Sequence, residues 1–186
     1  MQAMTAIKQL QDEHQAVRTM LLVWKKIVVR MEKGGEVGME DLDNLLAFMK
    51  SFVDRCHHQK EESYLFPALM ELDIPEITEM VKKLTNEHGK LHLLAQEINS
   101  SLDGYKKGDP RAKEKLVGSL KEYIGLLSRH ESEETDILFG KANDNLSEET
   151  QMRLEKDFKR IELEYIGAGR HEEFYKIIDN LHNHYN

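Results

Sequence analysis

The chain has 186 residues, 40% of them hydrophobic and 32% charged, and a formal net charge of −8 at neutral pH. That length suffices for one well-packed domain with an appendage, and its interspersed acids and bases exclude nucleic acid or an anionic membrane as the main partner, because either requires a basic face. A single cysteine, Cys56, and the lack of any apolar run of membrane-spanning length exclude an internal disulfide, a cysteine-built metal site and a transmembrane helix.

Apolar residues at three- and four-residue spacing predict four long helices. The first runs from about Thr5 to Lys33, with Leu10, Val17, Leu21, Trp24 and Val28 on one face, and ends at Gly34-Gly35 and Gly38. A second follows from about Met39 to Leu72, where Pro67 is expected to kink or end it in its last turn. Pro75 opens a third helix to about Tyr105, since a missing N–H costs nothing in a first turn. After Gly108, Asp109-Pro110 reads as an N-cap and first-turn proline for a fourth helix to about Phe139. Short links between long helices imply antiparallel neighbours. The expected fold is therefore all-α, an up-down-up-down four-helix bundle over residues 1–143. Beyond Asn143, Ser147 is placed to cap a fifth helix to about Ile166, and Gly167 and Gly169 precede a short sixth helix ending near Leu181. Residues 144–186 are thus expected to form a C-terminal helical extension packed on the bundle. Met1 to His14 lack the apolar core and cleavage site of a signal peptide, which gives a cytoplasmic expectation.

Nine histidines are the unusual feature, and several fall within a repeat. His14 follows Asp12-Glu13, and His88 follows Asn86-Glu87. The first half then carries His57-His58-Gln59-Lys60-Glu61-Glu62-Ser63-Tyr64-Leu65-Phe66, and the second His130-Glu131-Ser132-Glu133-Glu134-Thr135-Asp136-Ile137-Leu138-Phe139. In each, a glutamate stands four residues after the histidine and Leu-Phe eight and nine after. His14 precedes His57 by 43 residues, and His88 precedes His130 by 42. Two similar helical hairpins follow, each with one lone histidine and one His-x-x-x-Glu pair.

Residues four apart share a helix face, with Cβ atoms about 5–6 Å apart, so such a pair can reach one ion in the bundle core. His14 and His57 each lie roughly 20 residues from the first turn, which puts them at one height at about 1.5 Å of rise per residue. His88 and His130 straddle the Gly108 turn in the same way. Anchoring both halves on Leu-Phe selects His57/Glu61 over His58/Glu62. His58 is then turned about 100° away, exposed or behind the ligands, and His58→Ala is expected to keep the centre. His92, four after His88, has Arg18 as its counterpart and adds a second i,i+4 pair. If it binds, one metal has three histidines and the other two, with Glu61 and Glu134 bridging. The poorer metal then keeps an open position. Seven groups are too many for a structural zinc, and calcium or magnesium would want oxygen throughout. Imidazole mixed with carboxylate suits iron, then zinc, copper or manganese. A ferritin-like di-iron bundle stands second, since it uses Glu-x-x-His and more carboxylate. Glu13, Glu62 and Glu87 are expected to be solvated, as are His182 and His184, and Cys56 to be a packing residue.

His14, the stretch from His57 to Pro67, His88 with His92, and the stretch from His130 to Phe139 resemble the hemerythrin-like, or HHE cation-binding, family over about Thr5 to Phe139. The resemblance implies two non-haem iron ions, oxo- or hydroxo-bridged. It implies His14, His57, His88, His92 and His130 as terminal ligands and Glu61 and Glu134 as bridging carboxylates. Its ligands would be dioxygen, nitric oxide or peroxide, and a protein partner is left open. Oxygen-carrying members place an aspartate five after the last histidine, where this chain has Thr135. Glu134, four after, looks more like the bacterial sensor and iron-centre-repair branch, although the stretch before His14 lacks that branch's cysteine. The expected function is binding or sensing of such a molecule, against a peroxide- or nitric-oxide-consuming oxidoreductase or an iron-handling or repair protein. Gly167-Ala168-Gly169-Arg170-His171-Glu172-Glu173 resembles the tail of some uncharacterised members, which makes His171 an alternative to His92 as seventh ligand.

Overall fold

A computed structural model of the chain describes residues 5–167 and 169–185, with six helices and no strand among them. Residues 1–4, which open the expected first domain, and Ala168 in the second glycine break lie outside the described residues, as does Asn186. Helix α1, Ala6–Glu32, starts where the Thr5 hydroxyl accepts the N–H of Lys8 at 3.2 Å. Its chain reverses at Gly34, whose φ of +76° suits a residue without Cβ. Helix α2 covers 39–70, α3 is Pro75–Lys106 and α4 covers 112–145. These four form the antiparallel up-down-up-down bundle.

Helix α4 begins two residues later than its sequence suggests. Asp109 does act as a cap, but of a turn: its side chain accepts the N–H of Arg111 at 2.9 Å and its carbonyl that of Ala112 at 3.1 Å. Pro110 sits inside that turn. Helix α5, 148–166, is capped by the Ser147 hydroxyl, which accepts the N–H of Thr150 at 3.2 Å. Gly167 and Gly169, at φ +93° and +78°, separate it from α6, Arg170–Tyr185.

Two of the bundle helices widen at matching places. Residues Glu61–Leu65 and Glu134–Leu138 are π-helical, with the N–H of Phe66 bonded to the carbonyl of Glu61 and that of Phe139 to Glu134. Both stretches end at the leucine of the repeated Leu-Phe pair, and the residue after that pair, Pro67 or Gly140, disfavours an α-helix. Pro67 neither ends nor breaks α2, which continues through Met70. The i→i+5 turn before it changes which carbonyl meets the ring, and a proline is tolerated where the ladder is already rearranged. Such widened turns are frequent at functional sites, and in both halves a repeated glutamate opens one.

The apolar core is split in two. One block joins Val17, Trp24, Phe48, Phe52, Leu94 and Leu120, and α6 adds Phe174, Ile178 and Leu181 to it. The other joins Ile7, Leu10, Leu69, Leu84 and Phe139, with Leu154 and Phe158 from α5. Each large side chain so buried stabilises the docked extension by about 2 kcal/mol. Between the blocks lies a fully buried layer of histidine, glutamate and lysine.

Candidate metal centre

All four bundle helices send side chains into that layer. His14 on α1 and His57 on α2 face one another with their Nε2 atoms 2.9 Å apart, and His88 on α3 and His130 on α4 do the same at 3.0 Å. Glu61 presents one oxygen to each pair, 3.6 Å from His57 and 3.4 Å from His88. Glu134 does likewise, 3.4 Å from His14 and 3.2 Å from His130. Donors about 2.1 Å from a shared ion lie roughly 3.0–3.5 Å from one another, so these separations fit two ions with the carboxylates between them.

The chemistry of the donor set points the same way. All four oxygens of Glu61 and Glu134 are buried without a hydrogen-bond donor in normal geometry, as are both ring nitrogens of His58. Buried groups of this kind are ordinarily satisfied, and an uncompensated buried carboxylate is costly enough that a cation is the natural partner.

The four histidines that face one another in pairs are each oriented from behind. The Nδ1 of His57 lies 2.8 Å from Glu13 and that of His130 lies 3.0 Å from Glu87. The Nδ1 of His88 is 2.7 Å from Glu62 and that of His14 is 2.8 Å from the Thr135 hydroxyl. Three glutamates expected to be solvated therefore hold histidines. An Nδ1–H donated outward leaves the Nε2 lone pair aimed inward and more basic. These partners also obey the repeat: Glu13 matches Glu87, and Glu62 matches Thr135.

The structure departs from the sequence spacing at two histidines, His58 and His92, and buries Glu131, which the spacing overlooks. His58, expected to point away, is only 3% exposed and stacks on His88 at a centroid distance of 3.9 Å. It joins Glu61, His88 and His130 as one convergent donor group, while His14, His57, Glu61 and Glu134 form another. Glu61 is four residues after His57 and three after His58, and both spacings share a helix face; the i,i+3 relation was the available signal. His92 is not brought to the layer. Its side chain is half exposed and bonded to Asp54 at 2.9 Å and Gln96 at 2.8 Å. The counterpart of His58 in the second half is Glu131, also buried, which pairs with Arg18 and lies 3.7 Å from His14. His171 stays one layer behind, 3.4 Å from Glu13. Cys56 is fully buried, and burial, with the charge of Glu13, pushes its thiol up to about 12, so it packs as a neutral group.

Without a metal, protons take the place of cations. Burial opposes charge on His88 and His130. The carboxylates outweigh it, Glu61 and Glu62 raising His88 to about 9 and Glu134 and Glu87 raising His130 to about 10. His58 goes the other way, held neutral by burial and by its charged histidine neighbours. Groups raised above their unfolded value of about 6.5 stabilise the fold fully below that pH and lose the contribution as pH rises through the folded value. Chelated protein should therefore melt at progressively lower temperature from pH 7 to pH 10, while metal-loaded protein holds level over that interval. Parallel profiles for the two forms would show that the layer does not exchange protons for metal.

Comparison with known proteins gives a family match and distant relatives. The family model for the hemerythrin HHE cation binding domain matches residues 5–142. The chain is also similar to uncharacterized proteins of Mycobacterium bovis and of two strains of Mycobacterium tuberculosis, at 23% identity over 143 residues, which covers 77% of this chain and 55% of each relative. It thus spans about half the length of the curated relatives it matches. No solved structure matches it.

Proposed function

The chain belongs to the hemerythrin HHE cation binding domain family, and from that premise we propose that it is a two-iron protein that binds or senses dioxygen, nitric oxide or peroxide. The observation that carries this reading is the inequality of the two donor groups. Three histidines, His58, His88 and His130, face one position, and two, His14 and His57, face the other, with Glu61 and Glu134 shared between them. Fewer protein donors at the second position leave room there for a small external molecule.

Non-haem iron, when bound, supplies redox chemistry and a site for such a molecule to coordinate. The residues around it fix its surroundings. Glu13, Glu62 and Glu87 hold three histidines through charged acceptors, whereas His14 is held by the neutral hydroxyl of Thr135. His14 thus lacks the carboxylate hydrogen bond that orients the other three, again on the two-histidine side. Phe139 stacks on His14 at 5.2 Å and Phe66 on His88 at 5.5 Å, giving apolar walls that keep water from the layer. No helix among the described residues is long and apolar enough to cross a membrane.

The deciding experiment is metal content after anaerobic purification, followed by absorption spectra as air or nitric oxide is admitted. About two irons per chain and charge-transfer bands that reverse when the gas is removed would support binding or sensing. Catalytic consumption of peroxide with a reductant would shift the assignment to an oxidoreductase, ready loss of iron to apo-acceptors would shift it to iron handling, and a single zinc would end the two-iron reading.

A further inference from the structure

One buried ionic cluster lies outside the two donor groups. Lys60 on α2 is fully buried, and its ammonium donates to Glu13 on α1 and, at 2.7 Å, to Glu162 on α5. Gln9 donates to the same Glu162 oxygen, and the Nε2 of His171 on α6 lies 3.4 Å from Glu13 and 3.9 Å from Glu162. An ammonium between two carboxylates already supplies the cation this cluster needs, so it is not a third metal position.

Glu13 belongs to both layers. One of its oxygens faces the Nδ1 of His57 at 2.8 Å, and the other accepts from Lys60. The glutamates that hold histidines on the three-histidine side are nearer solvent: the Glu87 side chain is 16% exposed and that of Glu62 is 43% exposed. Glu162 is anchored twice, because its carbonyl also accepts the N–H of Gly167 at 2.9 Å, at the break where Gly167 and Gly169 take φ of +93° and +78°. A continuous path therefore runs from His57 through Glu13 and Lys60 to the junction of α5 and α6.

We propose that Lys60 and Glu162 are positioning residues for the two-histidine metal position, and that residues 148–185 set its affinity through the His57–Glu13–Lys60–Glu162 chain. A carboxylate held by a buried ammonium cannot rotate freely, so the imidazole it holds keeps its Nε2 on the ion. Removing the charge of Glu162 leaves Lys60 with one carboxylate partner and lets Glu13 follow it. Linkage is reciprocal: if the docked extension tightens the ion, the ion must tighten the extension.

The inference rests on the two-iron reading, and ferrous iron alone is the probe. Anaerobic titration of the full chain should resolve two equivalents. Groups behind a ligand change metal affinity by about 10–100-fold, and Glu162 acts one step further out, so Glu162→Gln should weaken one equivalent by roughly threefold to tenfold and spare the other. Glu62→Gln should weaken the other equivalent instead. In unmodified protein, the weaker-binding equivalent should slow amide exchange across residues 162–185, a response that a purely structural salt bridge would not show and that needs no variant. Fewer than two ions on the unmodified chain would remove the two-iron reading and this inference with it. Two ions with equal effects of Glu162→Gln on both, no effect on either, or iron-independent exchange in 162–185 would overturn the coupling alone.

Discussion

Glu61→Ala and Glu134→Ala are each expected to cost the protein both metal ions. Glu61 puts one oxygen 3.6 Å from His57 and the other 3.4 Å from His88, so a single truncation takes a donor from both positions. Glu134 does the same between His14, at 3.4 Å, and His130, at 3.2 Å. The remaining carboxylate would then face two ions alone, with too little negative charge to hold them together in a buried layer. Bound metal should fall from about two per chain to well below one, and the rise in melting temperature on adding iron should vanish with it. Misfolding is separable from this outcome. Alanine also removes the charge partner of His88 or His130 in the metal-free protein, so each variant should melt below the chelated parent at pH 7 and approach it by pH 10, where that proton-linked contribution is gone. Retention of two ions in either variant would refute the sharing of these carboxylates.

His58→Ala and His92→Ala should differ sharply. His58 is neutral, buried and stacked on His88, and its two ring nitrogens lack any hydrogen-bond partner. Its loss should leave about one tightly held ion and weaken the other at least 100-fold, the order expected when a direct ligand goes. His92 is half exposed, and its bond to Asp54 joins two partly solvated groups. Such a surface pair contributes well under about 1 kcal/mol, so His92→Ala should keep both ions and nearly the parent melting temperature. The sequence spacing favours the opposite pairing, which makes metal content of the two variants a direct measurement of which histidine belongs. Two ions in His58→Ala together with loss in His92→Ala would return the assignment to the spacing argument.

The bundle was legible in the sequence because its signals are local. Apolar periodicity marked α1 to α4, Ser147 marked the start of α5, and the glycine pairs marked the reversals. Six converging groups, His14, His57, Glu61, His88, His130 and Glu134, were legible because an i,i+4 pair and a repeat anchored on Leu-Phe fix both face and height. His58 was not, since it has no histidine counterpart in the repeat, and anchoring on Leu-Phe set only His57/Glu61 against His58/Glu62 and left the i,i+3 relation of His58 to Glu61 unused. The eleven π-helical residues Phe48–His58 also defeat a reading that advances each residue by the α-helical angle. A wider turn has a smaller angular step, and the two adjacent histidines can both face inward, one toward α1 and the other toward α3 and α4.

The outer partners followed a different logic. Glu13, Glu62 and Glu87 flank their ligands in sequence, yet each bonds to a histidine on another helix: Glu13 to His57, Glu62 to His88 and Glu87 to His130. A sequence registers charge and spacing along one helix, and which neighbour that charge meets depends on how helices pack. The link from Glu13 through Lys60 to Glu162 spans α1, α2 and α5, with residues 13 and 162 far apart in the chain. By itself the sequence determined the helices, their antiparallel order and the level of the buried layer, because periodicity and turn chemistry act within a few residues. The tertiary structure alone decided which third histidine enters the layer and which buried charges stand behind it, because those choices depend on the rotation of each helix against its neighbours.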